Sequence, residues 1–196
     1  YIESVKVIKN YKLKTIEPLK DVENIYFKGY GKMEAFPTSG GTSTMPNSFK
    51  GKIKNLDYKT VRYPGHAEKI RLLMELGLTS SKEVDLRGVK LAPRVILEKQ
   101  LLEKYSYKGK DLVLCRVELE SRKKKVSYTL IDKETKGLTA MMRCTGFPAS
   151  TIALMCARGQ VLKRGTLKHE FDIPPKIVYK ELLKKGLKIK KRVQYK

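Results

Sequence analysis

The chain has 196 residues, which is enough for one domain with a full core or two small ones, and no apolar run of about 18 residues could span a membrane. The formal net charge of +23 is compatible with nucleic-acid binding, but the 33 lysines and ten arginines are spread along the chain, without an RNP, zinc-finger or GXXG signature. Three cysteines without CxxC spacing and only two histidines argue against a disulfide scaffold or a metal site, so we expect a reduced, cytoplasmic protein with no membrane or nucleic-acid partner.

The N-terminal part of the chain has the pattern of β-strands. It opens at Tyr1 without a signal-peptide pattern, so we expect a fragment of a longer protein or further residues before it. Residues 4–16 alternate between apolar and lysine residues, which predicts a half-buried strand or a strand pair. Residues 25–36 predict one strand with a bulge where Gly29 and Gly31 interrupt it.

The spacing of Gly29 and Gly31 does not complete a dinucleotide fingerprint. The position of the third glycine is Glu34, no helical pattern follows, and no other stretch supplies the motif. A GxxxxGK[ST] loop is also absent from the sequence. We therefore expect no nucleotide cofactor to bind to this chain alone.

A loop rich in glycine and hydroxyl groups is predicted over residues 37–48. Its backbone amides and side-chain hydroxyls are suited to hold a carboxylate or a phosphate. A flexible surface loop explains the same composition equally well. The candidate ligand-binding residues of this loop are Ser39, Gly40, Gly41, Thr42 and Ser43.

Residues 60–77 predict a strand end, a sharp turn at Pro64-Gly65 and an amphipathic helix that ends at Gly77. Arg62 and His66 flank the turn, so two polar side chains lie at a helix N-terminus, where an anionic ligand is favoured. A plain strand–helix connection is the alternative.

The C-terminal half predicts an alternation of helices and strands. A helix begins at Ala92-Pro93, and two strands follow over residues 112–120 and 126–132, joined by a charged hairpin. A last helix runs from Pro174 to about Lys185 before a closing strand. This order indicates an α+β fold with a mostly antiparallel or mixed open sheet and helices on one face.

A second informative stretch covers residues 137–159. Gly146-Phe-Pro148 predicts a break, and alanines recur every four residues after it, which indicates a helix face that packs closely against a sheet or a second subunit. Arg143 and Thr145 precede the break and are second-choice candidates for a cleft.

Several motifs together resemble the C-terminal domain of the saccharopine dehydrogenase and lysine 6-dehydrogenase family. These motifs are Gly31-Lys-Met-Glu-Ala-Phe36 with the Gly40-Gly41-Thr-Ser loop, Val61-Arg-Tyr-Pro-Gly-His-Ala-Glu-Lys-Ile70, Tyr128-Thr-Leu-Ile-Asp132, and Thr139-Ala-Met-Met-Arg-Cys-Thr-Gly-Phe-Pro-Ala149. The resemblance extends from about Tyr26 to Lys185.

The resemblance implies a fold similar to the second domain of glyceraldehyde-phosphate-dehydrogenase-like oxidoreductases. It implies that residues 1–196 form a single substrate-binding and dimerisation domain of an enzyme that acts on C–N bonds of lysine-related amino acids. NAD or NADP would then be bound by an N-terminal Rossmann domain, which is missing from this chain. We expect the chain to form a homodimer and to be inactive by itself.

The resemblance also assigns roles to the turn. An amino-acid substrate carries carboxylates, which favour arginine, backbone amides and hydroxyls. Arg62, Tyr63 and Gly65, together with the loop residues named above, are therefore the expected substrate contacts. His66 is a candidate proton acceptor for the substrate amine, although that group could equally lie on the missing domain.

One alternative from another class remains at this level. The chain could be a free-standing basic module that keeps the fold and uses its lysine-rich surface to bind nucleic acid or another anionic partner.

Overall fold

The structure is a computed structural model that describes residues 2–106 and 109–196. The strands in these residues are β1 (Val5–Lys9), β2 (Lys12–Ile16), β3 (Glu23–Phe27), β4 (Gly31–Pro37), β5 (Asn55–Leu56), β6 (Lys59–Arg62), β7 (Val84–Leu86), β8 (Val89–Leu91), β9 (Leu112–Glu120), β10 (Lys124–Lys133) and β11 (Ile189–Tyr195). The helices are α1 (Met45–Phe49), α2 (His66–Glu75), α3 (Pro93–Tyr105), α4 (Ala140–Ala157), α5 (His169–Asp172) and α6 (Pro175–Lys184). No helix within the described ranges combines the length and the apolar character needed to cross a membrane.

The chain forms two compact units, Tyr1–Tyr107 and Lys108–Lys196. The strands of both units pair antiparallel in small open sheets, with the orders β2-β1-β5, β3-β4-β6 and β7-β8 in the first unit and β11-β10-β9 in the second. This arrangement confirms the predicted α+β class. The assignment of residues 1–196 to one functional domain stays a prediction.

The first sheet begins with a tight hairpin. The chain reverses between β1 and β2 at Asn10 and Tyr11, whose φ angles of 51° and 66° fit a two-residue turn of the kind that matches strand twist. Of the two predicted alternatives for residues 4–16, the strand pair is therefore correct.

The second sheet corrects the prediction for residues 25–36. These residues form two strands, β3 and β4, rather than one bulged strand. Gly29 and Gly31 have φ angles of 86° and 79°, which is left-handed backbone that reverses the chain direction instead of bending one strand. A short connection also joins β7 to β8, a hairpin that the sequence pattern did not reveal.

Helix α2 covers one face of the second sheet. Its residue Ala67 forms a buried cluster with Leu19 and with Phe36 of β4, and Ile70 and Met74 pack against this cluster. The helix ends as predicted at Gly77, where the amides of Gly77 and Leu78 bond to the carbonyls of Met74 and Leu73 in a Schellman motif.

The long helix α4 corrects the predicted break at residues 146–148. The helix continues through Pro148, although an internal proline removes one hydrogen bond and costs about 3 kcal/mol. Its ends are well stabilised, because the Thr139 side chain accepts a hydrogen bond from the Met142 amide and Gly159 forms a Schellman motif. Met155 of α4 also forms a buried cluster with Val161 and Ile173, which further stabilises the helix.

Both long helices of the second unit contact the same face of the β9–β10–β11 sheet. Arg143 of α4 contacts Asp132, and Tyr179 of α6 lies edge-on to Tyr128 with ring centroids 6.0 Å apart. Asp132 and Tyr128 are four residues apart on β10 and therefore point to the same side. This placement confirms helices on one face for this sheet.

Candidate functional site

The N-terminus of α2 is held by a carboxylate from another element. Glu34 lies on β4 and is only 7% exposed. Its Oε2 accepts a hydrogen bond from the Gly65 amide at 2.9 Å, and its Oε1 accepts one from the Ala67 amide at 2.6 Å. A carboxylate at this position satisfies two amides of the helix start and complements the positive end of the helix dipole.

The pairing of β4 with β6 places the polar residues of this region on one side of the sheet. Glu34 pairs with Arg62, and Phe36 pairs with Thr60. Alternation along a strand sends these four side chains to the face that α2 covers. The hydroxyl of Thr60 also forms a buried 2.6 Å hydrogen bond with the hydroxyl of Thr38, just beyond β4.

His66, the first residue of α2, stacks on the Phe36 ring with a centroid distance of 6.0 Å and an interplanar angle of 9°. Partial burial lowers the pKa of His66 below its usual 6.5, and the positive charges of Arg62 and Lys69 add to this decrease, while the Glu34 carboxylate opposes it. The imidazole is therefore mainly neutral at pH 7 and can accept a proton.

The other residues of the turn face solvent. Tyr63 is 67% exposed. Arg62 is exposed too, and its Nη1 donates to the Val61 carbonyl at 2.9 Å. Gly65 has a φ of 87°, so the start of α2 needs the conformational freedom of glycine. The turn thus presents one guanidinium, one phenol and one neutral imidazole within five residues of sequence.

The predicted hydroxyl-rich loop leaves the strand pair at the opposite end. It follows Pro37, which pairs with Lys59 where β6 begins, whereas the turn follows Arg62 where β6 ends. Within the loop, Thr42 is buried and its hydroxyl donates to the Lys6 carbonyl at 3.2 Å, so it connects the loop to β1.

The remaining loop candidates have different environments. Gly41 lies against the Tyr58 ring. Gly40 and Ser43 are exposed, with φ angles of 87° and 45°, and Ser39 is half-buried. The loop and the turn are therefore separate candidates for ligand contact at the two ends of one strand pair.

Arg143 and Thr145 belong to the second unit. Arg143 is 8% exposed, and its guanidinium binds both carboxylate oxygens of Asp132, at 2.8 and 3.3 Å, and the Gly186 carbonyl at 3.4 Å. The exposed Thr145 hydroxyl donates to Met141 Sδ at 3.6 Å. The Arg143 side chain thus already has an internal anionic partner, as expected of a residue that stabilises the fold.

Among the residues that the structure describes, the glycine motif does not fit a nucleotide cofactor. The only two glycines with GxG spacing next to a strand, Gly29 and Gly31, connect β3 to β4 and not a strand to a helix, so no helix N-terminus faces a pyrophosphate there. Within residues 2–106 and 109–196, no group of three His, Cys, Asp or Glu side chains is placed to hold a metal ion. The candidate groups of the turn are the side chains of Arg62, Tyr63 and His66, and the loop lies at the other end of the strand pair.

The fold and these motifs together define a domain of an oxidoreductase family. Residues 1–187 match the family model described as saccharopine dehydrogenase C-terminal domain. The chain belongs to this family.

A solved structure gives independent support for the fold. The chain is similar to apo saccharopine dehydrogenase (L-Glu forming) from Saccharomyces cerevisiae, with a TM-score of 0.71 and 16% sequence identity. The similarity covers 98% of this chain but only 59% of the yeast chain. At this identity the match shows a shared fold.

Proposed function

We propose that this chain is the substrate-binding and dimerisation domain of an NAD(P)-dependent oxidoreductase that acts on C–N bonds of lysine-related amino acids. Membership of the saccharopine dehydrogenase C-terminal domain family supports this proposal. NAD or NADP would be held by an N-terminal Rossmann domain outside these residues, since the glycines of this chain do not form such a site. The contribution of this domain is to bind and orient the substrate.

The observation that carries the proposal is that Arg62, at the end of β6, and His66, at the start of α2, flank one turn. An arginine fork binds a carboxylate in a defined orientation, and the exposed Tyr63 hydroxyl can add a hydrogen bond. His66 is the first residue of α2, on the other side of the same turn, and the charge of Arg62 contributes to the lowered pKa of His66. We assign to Arg62 the α-carboxylate of the substrate and to His66 the acceptance of a proton from the amine.

The loop residues Ser39, Gly40, Gly41 and Ser43 are assigned a second, distant carboxylate. Pro37 and Glu34 lie three residues apart on β4, and a strand rises about 3.3 Å per residue, so the two ends of the strand pair are about 10 Å apart. An extended substrate with carboxylates at both ends would match this separation. Arg143 is left out of the site because its guanidinium binds Asp132.

The test is the replacement Arg62→Ala in the full-length enzyme. We expect kcat/KM for L-saccharopine or L-lysine to fall by about 10- to 100-fold, as for loss of hydrogen bonds to a charged group. Arg122→Ala, which removes an exposed arginine from the turn between β9 and β10, is the matched control and should leave kcat/KM unchanged. An equal kcat/KM in Arg62→Ala and wild type would remove Arg62 from the site.

The proposed homodimer is supported by apolar residues at the open end of the β9–β10–β11 sheet. Val117, Leu119, Val193 and Tyr195 are 50%, 57%, 39% and 81% exposed. Their pairing with β10 places them on one face, where a self-complementary surface can form.

Leu119→Lys should shift the sedimentation coefficient to that of a monomer, whereas Leu162→Lys, at a residue 88% exposed outside the sheet, should not. A monomeric wild-type protein at micromolar concentration would contradict the dimer.

A further inference from the structure

The positive end of α2 is already occupied by a carboxylate of the protein itself. Both oxygens of Glu34 accept backbone hydrogen bonds, from the amides of Gly65 and Ala67, and the side chain is buried. The His66 amide makes a longer contact, of 3.4 Å, with the Tyr63 carbonyl. A substrate anion therefore cannot use the Gly65 and Ala67 amides unless it displaces Glu34. An external anion at the turn would therefore meet side chains, with the Arg62 guanidinium as the cation and the exposed Tyr63 hydroxyl beside it.

We propose that Glu34 is a positioning residue for the Arg62–His66 site, because its buried carboxylate connects β4 to the start of α2 and fixes the turn that carries both side chains. This inference rests on the function proposed above for that turn. Glu34 itself does not touch the substrate in this arrangement.

The local geometry explains why the turn needs this connection. Gly65 has left-handed backbone with a φ of 87°, and a glycine has more accessible conformations than any other residue. Without Glu34, two buried or half-buried amides would lose their partners, and the Pro64–Gly65 link would be free to reorganise.

The same strand also supports the histidine ring. Phe36 follows Glu34 by two residues on β4 and stacks on the His66 imidazole. Strand β4 thus binds the backbone at the start of α2 through Glu34 and contacts the His66 ring through Phe36. Arg62 pairs with Glu34 across β4 and β6, so its Cα position is fixed by the same register.

Glu34 acts on His66 electrostatically as well. The charged groups that influence the imidazole are Arg62 from β6, Lys69 from α2 and Glu34 from β4, and only Glu34 is negative. Removal of its charge should therefore lower the pKa of His66 further, since this carboxylate opposes the effect of the two cations.

The experiment compares Glu34→Ala, Glu34→Gln and Glu68→Gln in the full-length enzyme. Glu68 is an exposed acid in the same first turn of α2, so Glu68→Gln removes one charge there without touching the Gly65 or Ala67 amides. Three readouts are measured: kcat/KM for the amino-acid substrate, the His66 pKa by NMR titration, and hydrogen exchange of the Gly65 and Ala67 amides.

We expect Glu34→Ala to lower kcat/KM by about tenfold to a hundredfold, the range that a displacement of about 1 Å at a site can cause. Glu34→Gln should recover part of this loss of kcat/KM, because the glutamine amide oxygen still accepts one N–H. The pKa of His66 in this variant should fall below the wild-type value. The two amides should exchange faster in Glu34→Ala, and Glu68→Gln should match the wild type in all three measurements.

Two results would overturn the inference. One is a folded Glu34→Ala or Glu34→Gln enzyme with wild-type kcat/KM and wild-type amide exchange, and the other is an equal loss of kcat/KM in Glu68→Gln. If Glu34→Ala does not fold, Glu34→Gln alone decides between these outcomes. Amide exchange and the His66 pKa do not depend on the substrate, so they test Glu34 even if Arg62→Ala shows that the proposed substrate site is wrong.

Discussion

The carboxylate of Asp132 on β10 receives two hydrogen bonds from the guanidinium of Arg143 on α4, at 2.8 and 3.3 Å, and both side chains are only 9% exposed. The same guanidinium donates to the Gly186 carbonyl at the end of α6 and lies 5.3 Å from the centre of the Phe147 ring. One arginine therefore connects a strand to two helices within the second unit.

We predict that Arg143→Ala lowers the free energy of unfolding by about 3 kcal/mol, because it leaves the Asp132 carboxylate buried without its counter-charge. Replacement of both partners, by Arg143→Met and Asp132→Leu, should restore most of this loss, since no uncompensated charge then remains. Urea denaturation of the wild type, the single variant and the double variant measures both effects. If Arg143→Ala is as stable as the wild type, water must reach Asp132, and the ion pair contributes little to the free energy of unfolding.

The Gly41 position is predicted to be sensitive to one added methyl group. A Cβ atom there would lie 2.0 Å from Cδ1 of the Tyr58 ring, so the ring must move away from the loop. We expect Gly41→Ala to cost about 1–3 kcal/mol of stability, as overpacking usually does. If the ring is the cause, adding Gly41→Ala to a Tyr58→Ala background should cost almost nothing, and a double-mutant cycle measures this difference. An equal cost in both backgrounds would assign the effect to the backbone instead.

Features that depend on local chemistry could be predicted from the sequence. Pro93 marks the start of α3, Gly77 and Gly186 mark the ends of α2 and α6, and each works through its own backbone conformation. The antiparallel pair β9 and β10 followed from alternating apolar residues and a short charged connection. The motifs around Arg62 and Arg143 were sufficient to identify the family.

Features that depend on distant contacts could not be predicted from the sequence. Glu34 reaches amides more than 30 residues away in sequence, and only the pairing of β4 with β6 brings it there. The sequence also did not show that Arg143 binds Asp132, because the two residues lie on different elements. The predicted helix break at Pro148 was also wrong. Packing and capping of α4 outweigh the tendency of one proline to end a helix. No local pattern in the sequence indicates this cap, because Glu34 lies 31 residues before Gly65.

Asp111 is predicted to control acid stability of the second unit. Its carboxylate accepts hydrogen bonds from the amides of Ala140 and Met141, at 2.5 and 2.8 Å, at the start of α4. Desolvation raises the pKa of Asp111, but the hydrogen bonds from the amides of Met141, Ala140 and Asp111 itself and from the Thr139 side chain together outweigh it, so the pKa lies below its usual 3.8. A depressed carboxyl pKa contributes stability that is present above the unfolded pKa and is lost as the pH falls through the folded pKa.

The thermal midpoint of the wild type should therefore approach that of Asp111→Asn as the pH falls below about 3.8. Above about pH 5 the wild type should be the more stable of the two. Asp21→Asn, at an exposed residue whose φ of 51° asparagine also tolerates, is the control and should follow the wild type throughout. Parallel curves of thermal midpoint against pH for the wild type and Asp111→Asn would contradict this role of the Asp111 carboxylate.

The three free cysteines should differ widely in reactivity, because the thiolate is the reactive form. Burial is the main cause that raises the pKa of the Cys144 thiol to about 11, and the Asp132 carboxylate, whose Oδ2 lies 3.9 Å from the Cys144 sulfur, and Cys115 contribute to the same rise. At pH 8 only about one Cys144 side chain in a thousand is then a thiolate. Cys156 is exposed, and we expect iodoacetamide to modify it first.

Peptide mass spectrometry of the native protein over time measures the order of alkylation, and Cys156→Ser should remove the fast phase. The rate at Cys144 should rise about tenfold per pH unit up to its pKa, since the thiolate fraction does. A Cys144 that reacts as fast as Cys156 at pH 8 would show that its thiol is neither buried nor influenced by Asp132. It would also mean that α4 opens away from β10, because the Arg143–Asp132 ion pair lies next to this thiol.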